Sequence, residues 1–273
     1  MESKEFSFGS DSVASSYDNR LVPILFDPWA NRLIREHGPW DGLHVLDLAT
    51  GTGIVAAKLA DAVGASGMVY GADMNPQMLA LAQKRCADVP TKMEFIECPA
   101  ESLDMPSDSV DVVVCQQGFQ FFPDKVAAAR EVARVLRQNG KVAATMWLPV
   151  TECEFFGVVC DALTAIGESD ICNMMRAPFD LVSGEHLADC MDKAGLKNVR
   201  VSYQKDDFVL EGGFDEALEV VYATPIGPKL KALSPELQSR FRQELIPRLQ
   251  KLSHDGITMG CMAASLVSAE KVT

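Results

Sequence analysis

The feature that most constrains this chain is the run VLDLATGTG at residues 45–53. An apolar stretch, two glycines separated by one residue, and then a segment of helical periodicity indicate a strand, a tight turn and a helix. Glycines in such a turn let the backbone approach a ligand closely, and the helix start presents unpaired N–H groups. Because ligands of open α/β sheets lie at the carboxyl ends of the strands, the run predicts a ligand site there.

Strands and helices alternate along the first half of the chain. Apolar runs predict strands at 44–48, 67–72, 93–96, 110–115 and 141–147. Helical spacing predicts helices at 53–63, 75–88 and 123–136, with Asn75 capping the second and Asn139-Gly140 closing the third. The strand at 110–115 is almost wholly apolar, which is typical of a strand covered on both faces. This alternation predicts a parallel sheet with right-handed crossovers.

Beyond residue 148 the pattern is looser. It predicts helices at 155–166, 184–194, 214–224 and 234–252, and strands at 198–210 and 257–267. Before the first strand, residues 15–36 carry apolar side chains at helical spacing, although Pro23 and Pro28 should interrupt the helix. No internal repeat or linker divides the chain.

Composition narrows the range of partners. The formal net charge of −13 repels phosphate backbones, so we expect no nucleic-acid partner. No stretch is long and apolar enough to span a bilayer, and the first residues do not have the pattern of a signal peptide. The eight cysteines form no C-x-x-C pair, so we expect reduced thiols and no metal site. These features predict a cytoplasmic protein, and they leave the oligomeric state open.

Two carboxylates near the glycine turn indicate the kind of ligand. Asp73 follows the second strand, 26 residues after Asp47, and can accept hydrogen bonds from both hydroxyls of a ribose. The turn GTGIVA at 51–56 also fits the dinucleotide pattern G-x-G-x-x-A, so NAD(P) is one alternative. Asp47 favours a ligand without phosphate, because a carboxylate at the strand tip would repel a pyrophosphate at the helix N-terminus. S-adenosylmethionine instead brings an ammonium and a sulfonium and has no phosphate.

The sequence resembles the class I S-adenosylmethionine-dependent methyltransferases, and most nearly their quinone-methyltransferase-like group of small-molecule enzymes. The segments that carry the resemblance are VLDLATGTG at 45–53, GADMNPQML at 71–79, AESL at 100–103, DVVV at 111–114 and EVARVL at 131–136. The resemblance covers about residues 14–148 and is much weaker beyond 150. It implies an α/β, Rossmann-like sheet that is mostly parallel with an antiparallel final strand and has helices on both faces.

The resemblance also implies an organisation and a reaction. We expect an N-terminal helical lid at 1–40 and a methyltransferase domain at 41–273, with a cofactor half at 41–148 and a substrate-determining half at 149–273 that adds further helical lid elements. The expected reaction moves a methyl group from S-adenosylmethionine to a small, partly hydrophobic molecule. An NAD(P)-dependent oxidoreductase and a non-catalytic module that keeps the cofactor fold are the alternatives. The acceptor molecule, its acceptor atom and any catalytic residue stay open.

The site residues that the resemblance implies fall into two groups. The first group binds the cofactor: Asp47, Ala49 and Gly51 at its methionine end, Gly53 packing the turn, Asp73 on the ribose, Met74 and Met78 around the adenine, Ala100 and Glu101 at the adenine edge, and Gln116 and Gln117 near the sulfonium. The second group covers the substrate or forms the lid: Tyr17, Gln120, Phe121 and Trp147.

One position departs from the family pattern. Many members have Asp where this chain has Pro99, and a proline side chain offers no acceptor for the adenine amine. Another group, or water, has to replace that contact.

Overall fold

The computed structural model describes residues 17–272, so the first part of the predicted lid at 1–40 lies outside the described residues. The strands are β1 (His44–Leu48), β2 (Met68–Asp73), β3 (Lys92–Glu97), β4 (Val110–Gln116), β5 (Leu136–Trp147), β6 (Lys197–Leu210), β7 (Ser253–His254) and β8 (Ile257–Glu270). The α-helices are α1 (Asp27–His37), α2 (Ile54–Val63), α3 (Pro76–Arg85), α4 (Lys125–Val135), α5 (Glu154–Ala165), α6 (Ser169–Asp180), α7 (Gly184–Lys193), α8 (Gly213–Ala223), α9 (Gly227–Ala232) and α10 (Pro235–Gln250).

Three shorter or irregular helices complete the described chain. A π-helical segment at Tyr17–Phe26 contains Pro23 and precedes α1. Single 3₁₀ turns lie at Phe119–Phe121, after β4, and at Val150–Glu152, after β5.

The strands form one sheet in the order β3-β2-β1-β4-β5-β8-β6, with β7 paired to β8. The pairs from β3 through to β5 are all parallel. The last strand, β8, runs the other way beside β5. Lys271 N donates to Gly140 O at one end of the pair, and Ser265 Oγ donates to Met146 O nearer the other. The predicted sheet, mostly parallel with an antiparallel final strand, is confirmed.

The chain divides into two compact units, each built from several segments. The sheet unit comprises Phe26–Met146, Val182–Tyr203 and the residues from Ser265 onward. The helical unit comprises the described residues up to Leu25, Trp147–Leu181 and Gln204–Ala264. The lid at 1–40 and the two halves at 41–148 and 149–273 stay predictions.

In the sheet unit, helices cover both faces of the sheet. Leu46 and Val113 pack in a cluster with α4 and α7, whereas Val45 and Val114 pack with α1 and α2. Successive residues of a strand point to opposite faces, so neighbours in β1 and β4 enter different clusters. These apolar layers fix the carboxyl ends of β1, β2 and β4 in one row, where the predicted site residues follow.

The helical unit has its own apolar packing. Helix α5 packs against α6 and α10. The ring of Phe155 meets Phe208 edge-on with centroids 5.4 Å apart, and Phe156 lies 5.3 Å from Phe179. Helices α6 and α9 have no counterpart among the sequence predictions.

The predicted closure of the third helix by Asn139-Gly140 is wrong, although the helix ends within one residue of the predicted Leu136. Helix α4 ends at Val135, and Asn139 and Gly140 lie inside β5. Val110 pairs with Leu136 but Val112 pairs with Lys141, so β5 bulges between these two pairs. Asn139 adopts a left-handed φ of 64° in this bulge, and its N–H donates to Lys271 O of the neighbouring segment. The turn-forming residues therefore bend a strand instead of ending a helix.

Candidate functional site

The turn between β1 and α2 has an unusual backbone. Ala49, Gly51 and Gly53 all adopt positive φ angles, of 58°, 55° and 82°. A Cβ on Gly53 would lie 2.8 Å from Ala82 Cβ, so α3 leaves no room there for a side chain. A Cβ on Gly51 would meet no atom within 4 Å. Gly53 thus closes the turn against α3, and Gly51 faces open space beside the tip of β1.

Asp73 ties the end of β2 to this turn. Its Oδ2 accepts a hydrogen bond from Gly51 N and its Oδ1 accepts one from Asn75 N, both at 2.9 Å. Burial raises the pKa of Asp73, and these N–H donors oppose that rise. The Met74 N–H makes a smaller contribution to stabilising the carboxylate, which still has lone pairs available to a hydroxyl group. The side chain is therefore oriented for the predicted ribose contact.

Asp47 is buried beneath the same turn. It is 1% exposed, and its Oδ2 accepts a hydrogen bond from Thr50 Oγ1 at 2.6 Å. Burial raises its pKa to about 7 against the effect of that hydrogen bond. At neutral pH the carboxyl is therefore divided between its two protonation states. A cation placed beside it would favour the ionised form.

The segment that follows β3 lies next to Asp73. Cys98 N donates to Asp73 O, which holds residues 98–101 beside the end of β2. The N–H of Ala100, a residue that is 6% exposed, donates to no other described residue. Glu101 Oε1 accepts from Asp124 N at 3.2 Å, so one oxygen of this predicted adenine contact is used in capping α4.

The two predicted adenine-flanking methionines differ in exposure. Met74 is 71% exposed, whereas Met78 is 4% exposed. Asn75, between them, caps α3 by accepting from Gln77 N at 2.9 Å and Met78 N at 3.4 Å, as predicted. A flat ring that covered Met74 would remove a large apolar side chain from water.

Three buried glutamines lie at the end of β4 and directly after it. Gln116 Nε2 donates to Phe26 O at 2.9 Å, and Gln117 Nε2 donates to Thr145 Oγ1 at 3.3 Å. Gln120 Nε2 donates to Gln117 Oε1 at 3.5 Å. The Oε1 of Gln116 is buried and has no hydrogen-bond partner within residues 17–272. A buried acceptor without a partner is costly, so this atom is suited to receive a donor from a ligand.

The remaining predicted residues are distributed between the two units. Phe121 belongs to the sheet unit and is 39% exposed. Trp147, the last residue of β5, and Tyr17 both belong to the helical unit. Their predicted lid and substrate roles stay predictions. Within the described part of the chain, no group of three or more His, Cys, Asp or Glu side chains could hold a metal ion.

Between residues 17 and 272, every helix is too short or too polar to cross a bilayer. Burial raises the pKa of Cys86 to about 11 and of Cys153 to about 12, so these thiols stay protonated at neutral pH. Neither therefore provides a thiolate nucleophile under these conditions.

Comparison with known proteins identifies the fold around this turn. Residues 45–140 match the family described as "Methyltransferase domain". The chain is 29% identical over 209 residues to demethylmenaquinone methyltransferase of Lactococcus lactis, a match covering 71% of this chain and 82% of that protein. It is 37% identical over 137 residues to a ubiquinone/menaquinone biosynthesis C-methyltransferase of Hahella chejuensis, covering 48% of this chain and 55% of that protein. The second match thus spans about half of each protein.

Solved structures share the same architecture. Phosphoethanolamine N-methyltransferase 2 of Haemonchus contortus, solved with S-adenosyl-L-methionine, superposes with a TM-score of 0.60 at 17% identity, covering 98% of this chain and 58% of that one. At this identity the likeness concerns the fold. Together with the matched methyltransferase domain and the quinone-methyltransferase relatives, it shows that the chain is a class I S-adenosylmethionine-dependent methyltransferase that resembles the quinone methyltransferases.

Proposed function

We propose that this enzyme methylates a small, partly hydrophobic molecule and that the cofactor lies across the carboxyl ends of β1, β2 and β4. The observation that carries the proposal is the bond between Asp73 Oδ2 and Gly51 N at 2.9 Å. It joins the predicted ribose-binding carboxylate to the glycine that faces open space. Asp47 lies at the adjacent strand tip, where a phosphate-free cation is favoured over a pyrophosphate.

The residues present fit S-adenosylmethionine. Asp73 would hold the ribose hydroxyls, and the unpaired N–H of Ala100 would donate to the adenine edge. Asp47 and the turn from Ala49 would face the positively charged methionine end. Gln116 Oε1, buried and without a partner in the described chain, would accept a hydrogen bond from a cationic donor. When bound, the cofactor supplies an electrophilic methyl group on a sulfonium, which is a good leaving group.

The chain's own contribution to methyl transfer is binding, orientation and the exclusion of water. The glycine turn and Asp73 fix the donor, and the hydrogen bonds among Gln117, Gln120 and Thr145 keep the residues after β4 in place. Phe121 offers a partly exposed aromatic face at the same end of the sheet. Holding two reactants in line supplies a large part of the rate enhancement in such displacements. No side chain is assigned as a general base.

The relatives guide the choice of acceptor. One of them is named a demethylmenaquinone methyltransferase, and another is named a C-methyltransferase of ubiquinone/menaquinone biosynthesis. A hydroxylated aromatic ring is electron-rich enough to attack the methyl group through a ring carbon, which then loses its proton. We therefore propose an aromatic, partly apolar acceptor of this chemical class. None of the proteins named above is an oxidoreductase, so the NAD(P) alternative gains no support from them.

Calorimetry and turnover together test this proposal. The chain should bind S-adenosylmethionine and its demethylated product and should not bind NADH. It should then transfer radiolabelled methyl groups to at least one hydroxylated aromatic compound in a panel that also contains amines, thiols and carboxylic acids. Binding of NADH in preference to the methyl donor would overturn the cofactor assignment. Turnover confined to amines or thiols would overturn only the proposed acceptor class.

A further inference from the structure

A cavity lies in the sheet unit at the end of the sheet opposite the glycine turn. Its volume is about 260 Å³, and it is lined by residues from α1, β4, β5, β6 and β8. Val112 and Lys141, which pair across β4 and β5, belong to the first part of the parallel strands. The cofactor residues follow the other ends of the strands. The proposed reaction therefore makes no use of this cavity.

Two solvent-exposed cations line the cavity without protein partners among the described residues. Lys141 in β5 and Arg200 in β6 both contribute to its wall. Within residues 17–272, neither side chain takes part in a hydrogen bond or an ion pair. Other basic side chains of the same unit do, for example Arg134 with Glu131 and Lys193 with Asp189. Although the formal net charge of the chain is −13, no carboxylate of residues 17–272 forms an ion pair with either of these two cations.

A buried imidazole nitrogen lies in the same wall. Nε2 of His37, the last residue of α1, is buried and has no hydrogen-bond partner among the described residues. Burial lowers the pKa of His37, with an opposing effect from Glu36 and a further lowering from Lys141. The ring is therefore neutral at pH 7 and its unpartnered nitrogen can accept or donate one hydrogen bond. Ser268, another lining residue, adds a hydroxyl group.

The two acidic side chains of the wall, unlike the cations, already have partners. Glu36 Oε1 lies 3.5 Å from Arg32 Nη1 and 3.7 Å from Arg35 Nη2. Glu270 Oε2 accepts a hydrogen bond from Asn198 Nδ2 at 2.7 Å. Asn198 is neutral, so Glu270 keeps its negative charge, and the groups of the wall that lack a partner among the described residues are the two cations and the His37 nitrogen. This combination fits an anion that accepts several hydrogen bonds at once.

We propose that this cavity binds a small oxyanion, held by Lys141 and Arg200 and hydrogen-bonded to His37. The ligand's phosphate or carboxylate oxygens would receive charge-assisted hydrogen bonds from the two cations. A volume near 260 Å³ is slightly below the usual range for small-molecule sites, which limits the ligand to about the size of a phosphate monoester or a small carboxylic acid. The site is separate from the proposed cofactor site, so it stands independently of the proposed function.

Titration of the full chain with inorganic phosphate and, separately, with citrate at constant ionic strength tests this site. Histidine-ring resonances report it locally, since the chain has only four histidines and a His37→Gln variant assigns the signal. We expect one of the two anions to shift the His37 resonance saturably. The anion that does so distinguishes a phosphate site from a carboxylate site. No saturable shift with either anion would overturn the proposal.

Paired substitutions test whether Lys141 and Arg200 hold the anion. Lys141→Gln combined with Arg200→Gln should weaken anion binding at least tenfold. Lys193→Gln combined with Lys197→Gln removes the same charge from exposed positions of the same unit and should leave anion binding unchanged. Unchanged affinity for S-adenosylmethionine shows that each variant is folded. Equal anion affinity in the two double variants would contradict the assignment, and a variant that does not fold leaves the wild-type titration as the deciding result.

Discussion

Asp73 Oδ2 lies 2.9 Å from the backbone nitrogen of Gly51 and accepts its hydrogen bond. The same carboxylate accepts from Asn75 N through its other oxygen, so one side chain positions the turn after β1 and the start of α3 together. Because the backbone donors come from two different loops, the carboxylate is preorganised before any ligand arrives. Preorganisation of this kind reduces the free-energy cost of ordering groups on binding.

Asp73→Asn should therefore weaken binding of S-adenosylmethionine by about 10- to 100-fold. The amide keeps the size of the side chain but loses the charge, and one of its ends becomes a donor that faces a backbone N–H. Hydrogen bonds to charged groups contribute about 1.5–3 kcal/mol, which sets this range. Isothermal titration calorimetry gives the affinity.

Glu97→Gln is the matched control for that measurement. Glu97 pairs with Asp73 across β2 and β3, and its side chain is exposed. We expect this variant to bind the cofactor as the wild type does. Equal affinities for both variants would show that the ribose does not lie on Asp73.

The two glycines of the turn should respond differently to alanine. Gly53→Ala places a Cβ 2.8 Å from Ala82 Cβ at a φ of 82°, so we expect a loss of about 2–4 kcal/mol in the free energy of unfolding. Gly51→Ala meets no atom within 4 Å and should destabilise the fold by about 1–2 kcal/mol through backbone strain alone. Its main effect should be weaker cofactor binding. Chemical denaturation and calorimetry separate these two outcomes, and an equal loss of stability in both variants would contradict this account.

Cofactor affinity should rise with pH through the pKa of Asp47, which burial raises to about 7. A bound cation favours the carboxylate, so binding must release protons wherever Asp47 is protonated in the free enzyme. Linkage gives about a tenfold gain in affinity between pH 6 and pH 8, with little change above that range. Calorimetry in buffers of different ionisation enthalpy counts the protons released at pH 6.5. A pH-independent affinity, or the same slope in Asp47→Asn, would refute this role.

For the free enzyme, Asp47 should have the opposite effect: its contribution to the stability of the fold should fall as the pH rises. Its pKa in the folded state is above the value of 3.8 expected for the unfolded chain. Between about pH 4 and pH 7 the folded state therefore binds more protons than the unfolded state, and the contribution of Asp47 to stability falls as pH rises. Denaturation of the wild type and Asp47→Asn at pH 5 and pH 7.5 isolates this contribution. A stability difference between the two proteins that is the same at both pH values would contradict it.

Gln116→Met should lower the affinity for S-adenosylmethionine by about tenfold. The substitution keeps the length of the side chain but removes the buried Oε1 that has no partner within the described chain. A lost hydrogen bond to a charged donor is worth about 1.5–3 kcal/mol, part of which the lower cost of burying a thioether offsets. Gln116 Nε2 also donates to Phe26 O, so Gln116→Glu, which keeps an acceptor, serves as the comparison. If the Gln116→Met and Gln116→Glu variants bind the cofactor equally well, the cofactor does not donate a hydrogen bond to Gln116 Oε1.

Local signals in the sequence are sufficient to predict the glycine turn and the strands and helices around it. The glycine spacing at 51–53, Asp73 at the end of an apolar strand and Asn75 before Pro76 each depend on a few neighbouring residues. The structure has β1, α2, β2 and α3 where these signals predict them. The architecture of the sheet could be predicted for the same reason. The assignment of individual residues to the cofactor is still a prediction.

The features that could not be predicted from the sequence depend on packing between segments that are distant in the chain. The bulge at Asn139 exists because β5 pairs with β4 on both sides of it, which no local pattern encodes. Helix α6 contains Pro178, a residue that argues against a helix when only neighbours are considered. The raised pKa of Asp47 depends on burial by residues distant in the chain. The oxyanion cavity likewise combines five elements, of which α1 and β8 are more than 200 residues apart.

The position of β8 between β5 and β6 bears on how the sheet is completed during synthesis. Until residues 257–270 have left the ribosome, β5 has an open edge and β6 has no strand to join. The sheet therefore cannot be completed before β8 has been synthesised, and until then the nascent chain exposes unpaired backbone groups that can associate with other chains. We expect chaperones that bind nascent chains to contact this edge until β8 inserts.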